Sequence, residues 1–271
     1  MKRWMPSAVL AMTLLCSAAM AAPAPDDTAT QIMAHAGDHR LVVLGEYHGT
    51  AETPLLVADL TERYSRENAA VRLALELPMS ENAALARYLR SDGGADARDA
   101  LRTSPFWAVK DDQHDGRRSR DMLDLIDAVR ALRAQGRDVG IAGYDVETGT
   151  SKDNQTRDTA MATHLRQQFS ALPADARMLV LTGNAHALRA RPQGAPAEMQ
   201  QQPMSAQLRD LPLYSVRLDA LRGEAWACLD RCGPRSLVEQ PARAPRVDTH
   251  PRRSYDLVVW MPQLSVGRLV D

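Results

Sequence analysis

The chain has 271 residues, of which 45% are hydrophobic and 25% are charged, as in an ordinary globular protein. This length accommodates one large domain with a substantial core. The formal net charge is −1, and the basic residues, all but three of them arginines, are scattered along the chain rather than clustered. The sequence therefore excludes an electrostatic surface for nucleic acid.

The N-terminus has the features of a secretory signal peptide. Basic residues precede a short apolar run, and an A-x-A cleavage pattern ends at Ala21. The run is too short to span a bilayer. We therefore expect residues 1–22 to be cleaved, which leaves a mature chain, 23–271, that is periplasmic or secreted and has no membrane span. A lipoprotein anchored through Cys16 is an alternative, although Leu15 stands where lipoproteins carry a small residue.

Six short apolar runs predict β-strands. The first four runs are almost continuously apolar, which is typical of strands that are covered on both faces of a parallel sheet. In chain order, the runs are Leu41–Gly45, Val71–Leu77, Val139–Tyr144, Met178–Thr182, Leu213–Leu218 and Leu257–Met261.

Amphipathic segments between these runs predict helices. Thr53, followed by a proline, fits the N-cap of one helix, and Ser80 can cap another. Two further apolar stripes end near Gly136 and before Pro173. The alternation of strands and helices predicts a single α/β domain with a central, largely parallel sheet flanked by helices. We place its core at about 38–220, followed by a C-terminal extension.

Three segments stand apart from this alternation. Residues 92–118 and 189–204 are long, polar and rich in glycine or proline, which is typical of binding loops or of structureless inserts. In the C-terminal extension, Cys228 and Cys232 are four positions apart, and in an oxidising compartment we expect a disulfide between them. A metal site is the alternative for this pair, but no nearby histidine or further cysteine supports it.

Chemically active side chains follow four of the predicted strands. The carboxyl ends of parallel strands meet at one edge of a sheet, where ligands bind. Polar loops and helix starts would account for some of these residues. These explanations do not fit Glu76, because it lies within an apolar run. A carboxylate there needs a partner, which can be an imidazole, an arginine or a metal. The strand-end residues are Glu46, His48, Glu76, Asp145, Glu147, Asn184 and His186.

Several other chemistries are excluded by the absence of their motifs. The chain has no G-x-S-x-G elbow of a serine hydrolase, no H-E-x-x-H helix of a zinc peptidase and no glycine-rich phosphate loop. What is left is chemistry based on carboxylates and imidazoles, with or without a metal ion.

The motifs resemble a known superfamily. The stretch LGEYHGTAETP is similar to the first motif of the erythromycin esterase-like proteins, while its shorter Glu–His spacing is closer to the ChaN haem-binding, TraB and Tiki proteins. LALELP, IAGYDVE and TGNAHA resemble later motifs, and SPFWAVKDDQHDGR resembles a tryptophan-containing loop of the esterases. The resemblance spans about 41–219.

The resemblance implies a cleft lined by Glu46, His48, Glu76 and His186. The esterase branch implies that His48 is the general base of an exported hydrolase that cleaves an ester or amide bond in a small molecule or peptide. The Tiki branch implies that the same four residues bind a divalent metal.

The expected residues for substrate binding are Tyr47, Trp107, His114, Arg117, Asp145 and Asn184. The ChaN branch implies a haem- or iron-binding protein without catalysis, and a fold used only for binding is a third reading. For haem, the candidate axial ligands are His48, His186, Tyr47 and Tyr144. An aromatic content of 4% disfavours a haem pocket. The oligomeric state is left open by the sequence.

Overall fold

All six predicted strands form, and with one short further strand they make a seven-stranded sheet. The computed structural model describes residues 27–66, 70–108, 114–147, 149–191, 194, 201–228, 231–237, 239, 247–249 and 254–270. The predicted signal peptide lies outside these residues.

The strands extend the predicted runs by up to two residues. In chain order they are β1 Leu41–Glu46, β2 Val71–Pro78, β3 Val139–Asp145, β4 Arg177–Gly183, β5 Leu213–Ala220, β6 Glu224–Cys228, β7 Cys232–Ser236, β8 Val247–Asp248 and β9 Leu257–Met261. The sheet has the order β3-β2-β4-β1-β5-β9-β8, and only β8 runs antiparallel to its neighbour. The α/β prediction is therefore confirmed.

Seven α-helices accompany the strands in the described part of the chain. They are α1 Thr28–Ala36, α2 Glu52–Arg66, α3 Asn82–Tyr88, α4 Ala95–Arg102, α5 Arg120–Ala134, α6 Asn154–Ser170 and α7 Asn184–Ala187. Within the described residues, no helix is long and apolar enough to cross a bilayer.

Three local predictions differ from the structure. Helix α2 already includes Thr53, so this residue is not its N-cap. Helix α4 lies within the predicted loop 92–118, because its alanine- and arginine-rich sequence favours a helix and Leu101 is buried. Strands β6 and β7 were not predicted; they form a separate antiparallel hairpin without a long apolar run. Most of 192–200 lies outside the described residues.

The sheet has a packed layer on each face. Along β1, Val42 and Leu44 pack with the cluster that includes α1, α2 and α5, while Leu41 and Val43 pack with the cluster that includes α6. All six residues of β1 are buried. This double coverage explains why the first four strands read as continuous apolar runs.

Truncation of a β1 side chain should measure the packing of this sheet. We expect Leu44→Ala to lower the free energy of unfolding by about 2–5 kcal/mol, because it leaves a cavity at a fully buried position. Leu55→Ala is the matched control, since Leu55 on α2 is 65% exposed and the same atoms are removed. Urea denaturation checks both, and equal losses would contradict the assigned layers.

Candidate active site

Glu76 is the centre of the strand-end cluster. Its Oε2 accepts hydrogen bonds from the Thr182 hydroxyl and the Gly183 amide, both at 2.7 Å, and its Oε1 accepts one from Arg157 Nη2 at 2.6 Å. Burial raises the pKa of this carboxyl, but the neighbouring imidazoles of His48 and His186 and the guanidinium of Arg157 outweigh burial and hold the pKa well below its usual range. Glu76 is therefore an ionised, almost fully buried carboxylate.

His48 lies between two carboxylates. Its Nδ1 is 2.9 Å from Oε1 of Glu46, and its Nε2 is 3.5 Å from Oε1 of Glu76. Burial lowers the pKa of the imidazole, but the charge of Glu76 and the hydrogen bonds to both carboxylates raise it to about 10. Burial also raises the pKa of Glu46. At neutral pH, His48 is thus an imidazolium whose Nε2–H is only loosely bound.

His186 has the opposite protonation state. Its Nδ1 is 2.7 Å from Oδ1 of Asp158, and its Nε2 is 3.2 Å from Nη1 of Arg157. A guanidinium only donates hydrogen bonds, so Nε2 must accept one and Nδ1 must carry the proton. His186 is therefore a neutral imidazole, and a fully buried carboxylate fixes its tautomer.

Two arginines support the cluster from behind. Arg157 binds Asp145 through Nε at 3.0 Å and Nη2 at 2.6 Å. Arg117 donates to Asp115 at 2.6 Å, to Asp145 at 3.0 Å and to the main-chain oxygen of Glu76 at 2.9 Å. Burial raises the pKa of Asp115, but the neighbouring Arg117 charge outweighs this and lowers it. Asp145 was predicted to bind substrate; it instead holds both guanidinium groups.

Arg157 and Asp158 were not predicted from the sequence. They lie in the first turn of α6, which the Asp153 side chain caps by accepting a hydrogen bond from the Thr156 amide. The helix follows β3 by several residues, so a search limited to the strand ends passes over it. Asp153 could have indicated these residues, because it is a typical N-cap residue and a helix that starts beside a sheet edge places its first residues near the site.

The cluster forms the floor of a cleft of about 600 Å³. Tyr47 and Asn184, which were predicted to bind substrate, line it together with the floor residues. A wall that was not predicted comes from the β6–β7 hairpin, which contributes Trp226 and Arg235, and from Leu237 just after it. The structure joins the hairpin by the expected Cys228–Cys232 disulfide.

Besides Asp145, two further predicted substrate-binding residues do not line the cleft. Trp107 is 4% exposed and packs edge-on against Phe106 with ring centroids 5.4 Å apart. His114 is 1% exposed and lies behind Trp226, whose indole N–H donates to the His114 carbonyl. Both predictions were wrong, because these rings stabilise the loop that carries Arg117 rather than facing a ligand.

The loop after His48 is fixed by the hairpin and by the segment 264–270. The carbonyl of Gly49 accepts hydrogen bonds from the Trp226 amide at 3.2 Å and from the Gly267 amide at 2.8 Å. Gly49 and Gly116 both have positive φ, and a Cβ atom on Gly116 would lie 2.9 Å from Cα of Gly49. Only glycines allow the two loops of the site to pack this closely.

The predicted metal ligands Glu46, His48, Glu76 and His186 converge, but their bonding does not suit a cation. Both oxygens of Glu76 are occupied, one of them by a guanidinium, and His48 holds both its protons between carboxylates. A histidine that binds a metal must be a neutral imidazole with a free lone pair. Among the described residues, no group of three or more His, Cys, Asp or Glu side chains is arranged to hold a metal ion.

Comparisons with known proteins identify the fold. No protein-family model and no curated protein matches the chain. A solved structure of a succinoglycan biosynthesis protein is similar, with 8% identity, a TM-score of 0.66, and coverage of 89% of this chain and 92% of that chain. A mutant of the erythromycin esterase EreC in its open conformation has 14% identity, a TM-score of 0.63, and coverage of 89% and 95%.

The chain has the erythromycin esterase fold. The fold that the sequence motifs predicted is thereby confirmed. ChaN of Campylobacter jejuni, with cofacially bound haem, has 12% identity, a TM-score of 0.46, and coverage of 85% of this chain and 90% of that chain. Its score is too low to support haem binding, so the chemistry has to be argued from the site.

The protonation of His48 predicts how stability depends on pH. Because its pKa in the folded protein, about 10, lies above its ordinary value of 6.5, the proton stabilises the fold. This contribution is complete below pH 6.5 and is lost as the pH rises through 10. We expect the free energy of unfolding, measured with urea, to fall between pH 7 and 10 in the wild type.

His48→Gln is the control for this measurement. It should be less stable than the wild type at pH 7, and the difference between the two proteins should shrink towards pH 10. A difference that is constant over this range would contradict the imidazolium assignment.

Proposed function

We propose that the protein hydrolyses an ester or amide bond in a small molecule or peptide. The observation that carries this proposal is the pairing of a neutral imidazole with a charged one. Nε2 of His186 is 3.9 Å, and Nε2 of His48 is 3.5 Å, from the same oxygen of Glu76. A proton acceptor and a cationic donor thus lie together at the floor of one cleft, as acyl transfer to water requires.

His186 is the general base of this proposal. Its Nε2 lone pair takes a proton from water while the water oxygen bonds to the substrate carbonyl carbon. Asp158 holds Nδ1–H at 2.7 Å and stabilises the imidazolium that forms. Water reaches Nε2 by displacing the single 3.2 Å contact from Arg157, whose Nε and Nη2 stay bound to Asp145.

In this proposal His48 is a cationic hydrogen-bond donor rather than a proton acceptor. The resemblance implied that it is the base, but an imidazolium between two carboxylates has no lone pair with which to accept a proton. Its Nε2–H and positive charge instead stabilise the negative oxygen of the tetrahedral intermediate. When that intermediate collapses, the bond to the leaving oxygen or nitrogen breaks, and the proton held by His186 passes to the leaving group.

The haem alternative has less support. Tyr144 is fully buried and donates to the Leu181 carbonyl, so it is wrong as an axial ligand. The Tyr47 hydroxyl accepts a hydrogen bond from Arg217 at 2.7 Å. Both ring nitrogens of His48 and of His186 already have polar partners.

We also propose that the reaction takes place outside the cytoplasm. The N-terminal pattern of a basic start, an apolar run and an A-x-A site supports export. The Cys228–Cys232 disulfide is consistent with an oxidising compartment, where such pairs persist.

The base assignment predicts the effect of removing His186. Against a panel of aryl esters and peptides, His186→Gln should lower kcat by about 10²–10⁴-fold, the usual contribution of a positioned base. Retained thermal stability should accompany the loss. Full activity in this variant would overturn the assignment.

The charge assignment predicts the shape of the pH profile. The active form of His48 is protonated, so kcat/KM should fall as the pH rises through about 10. If His48 were the base, kcat/KM would instead rise through the same pH. The two assignments therefore differ in the sign of one limb of the profile, and His48→Gln should lack that limb.

A substitution at Gly183 tests how closely the His48 and His186 rings approach the backbone between them. Its backbone has φ −60°, which alanine also adopts, but a Cβ atom there would lie 3.0 Å from Nε2 of His48 and 3.6 Å from the His186 ring. We expect Gly183→Ala to displace the His48 ring and lower kcat. Gly233→Ala, which has open space around the added atom, is the matched control and should be unchanged.

A further inference from the structure

The hairpin wall of the cleft carries a guanidinium that differs from those of the floor. Arg117 and Arg157 are each bound to carboxylates of the floor. Arg235 also lines the cleft, but in the described part of the chain no carboxylate lies within ion-pair distance of it. Among the described residues, therefore, no fixed anion compensates the charge of Arg235.

The hydrogen bonding of Arg235 is also incomplete. It lies on β7 opposite Ala225, and its Nη2 donates to the Arg231 carbonyl at 2.6 Å. Its Nε is buried and has no hydrogen-bond partner among the described residues. Leaving a charged donor buried and unsatisfied is unfavourable, so an oxyanion on a ligand would gain stability there.

The surroundings of Arg235 are apolar. Trp226, Ala227 and Leu237 line the same wall of the cleft. The Trp226 ring is held in place from behind by its bond to the His114 carbonyl. In the hairpin register Arg235 is on the same face as Ala225 and Ala227. A guanidinium beside apolar side chains suits a ligand in which an anionic group is attached to an apolar body.

We propose that the substrates of this cleft carry a carboxylate, which Arg235 binds while the apolar part of the substrate lies against Ala227 and Leu237. This inference rests on the proposed function, because it places the scissile bond at the His48–His186 floor. The floor cations already have carboxylate partners, so the carboxylate of the substrate is directed to Arg235.

Equilibrium binding tests the subsite without any turnover. Phenylacetate and phenylacetamide have similar shapes and differ in charge, and their dissociation constants can be measured by calorimetry with the full chain. We expect the carboxylate to bind about tenfold more tightly, the effect of one charge-assisted hydrogen bond. Arg235→Gln should remove this preference, and Arg235→Lys should retain part of it.

Arg222→Gln is the control variant, since Arg222 precedes the same hairpin and is exposed. It should keep the preference of the wild type. Equal affinity of the wild type for both probes would overturn the proposal. A carboxylate preference that persists in Arg235→Gln would also overturn it, because the anion would then bind at the floor.

A kinetic comparison connects the subsite to the reaction. A monoester of a dicarboxylic acid should have a lower KM than the corresponding diester, and Arg235→Gln should abolish the difference in KM while leaving kcat within about twofold, because uniform binding acts on KM. Absence of hydrolysis with an intact binding preference would refute the proposed function and leave the subsite standing. Hydrolysis without the binding preference would refute the subsite and leave the proposed function standing.

Discussion

The burial of one negative charge organises this molecule. An ionised carboxylate in a sheet edge is tolerated only if several donors compensate it. Glu76 obtains them from β4, from the loop after β1 and from the first turn of α6. Each donor comes from a different part of the chain, so satisfying the charge also brings the parts of the site together. The sheet order, with β4 between β1 and β2, is what makes these contacts possible.

The two histidines illustrate how surroundings divide one residue type between two roles. His48 has a carboxylate beside each ring nitrogen and is charged, whereas Nε2 of His186 accepts a hydrogen bond from a guanidinium and the ring is neutral. Pairs of titratable groups driven apart in this way are a common basis of acid–base chemistry. Both rings lie near the same Glu76 oxygen, so their different protonation states follow from their other partners and not from their positions.

Much of this arrangement could be predicted from the sequence, and the failures have physical causes. The apolar runs located the strands, and Glu76 stood out because a carboxylate inside such a run requires partners. Arg157 and Asp158 escaped notice because a helix start, rather than a strand end, delivers them. His114 was placed in the cleft from local sequence, whereas its packing depends on Trp226, which is more than a hundred residues away in the chain.

The segment 264–270 supports the site and is synthesised after all the residues of its floor. It binds the loop after His48 through the Gly49 carbonyl and the Ala51 amide, and it pairs with the start of α5 through Ser119. Every other residue of the floor is synthesised earlier. During translation, therefore, a nascent chain can assemble the central strands while the loop that carries His48 still lacks one of its two supports. A fragment ending before residue 264 would contain all the chemical groups of the floor, but only the hairpin would hold the loop that carries His48.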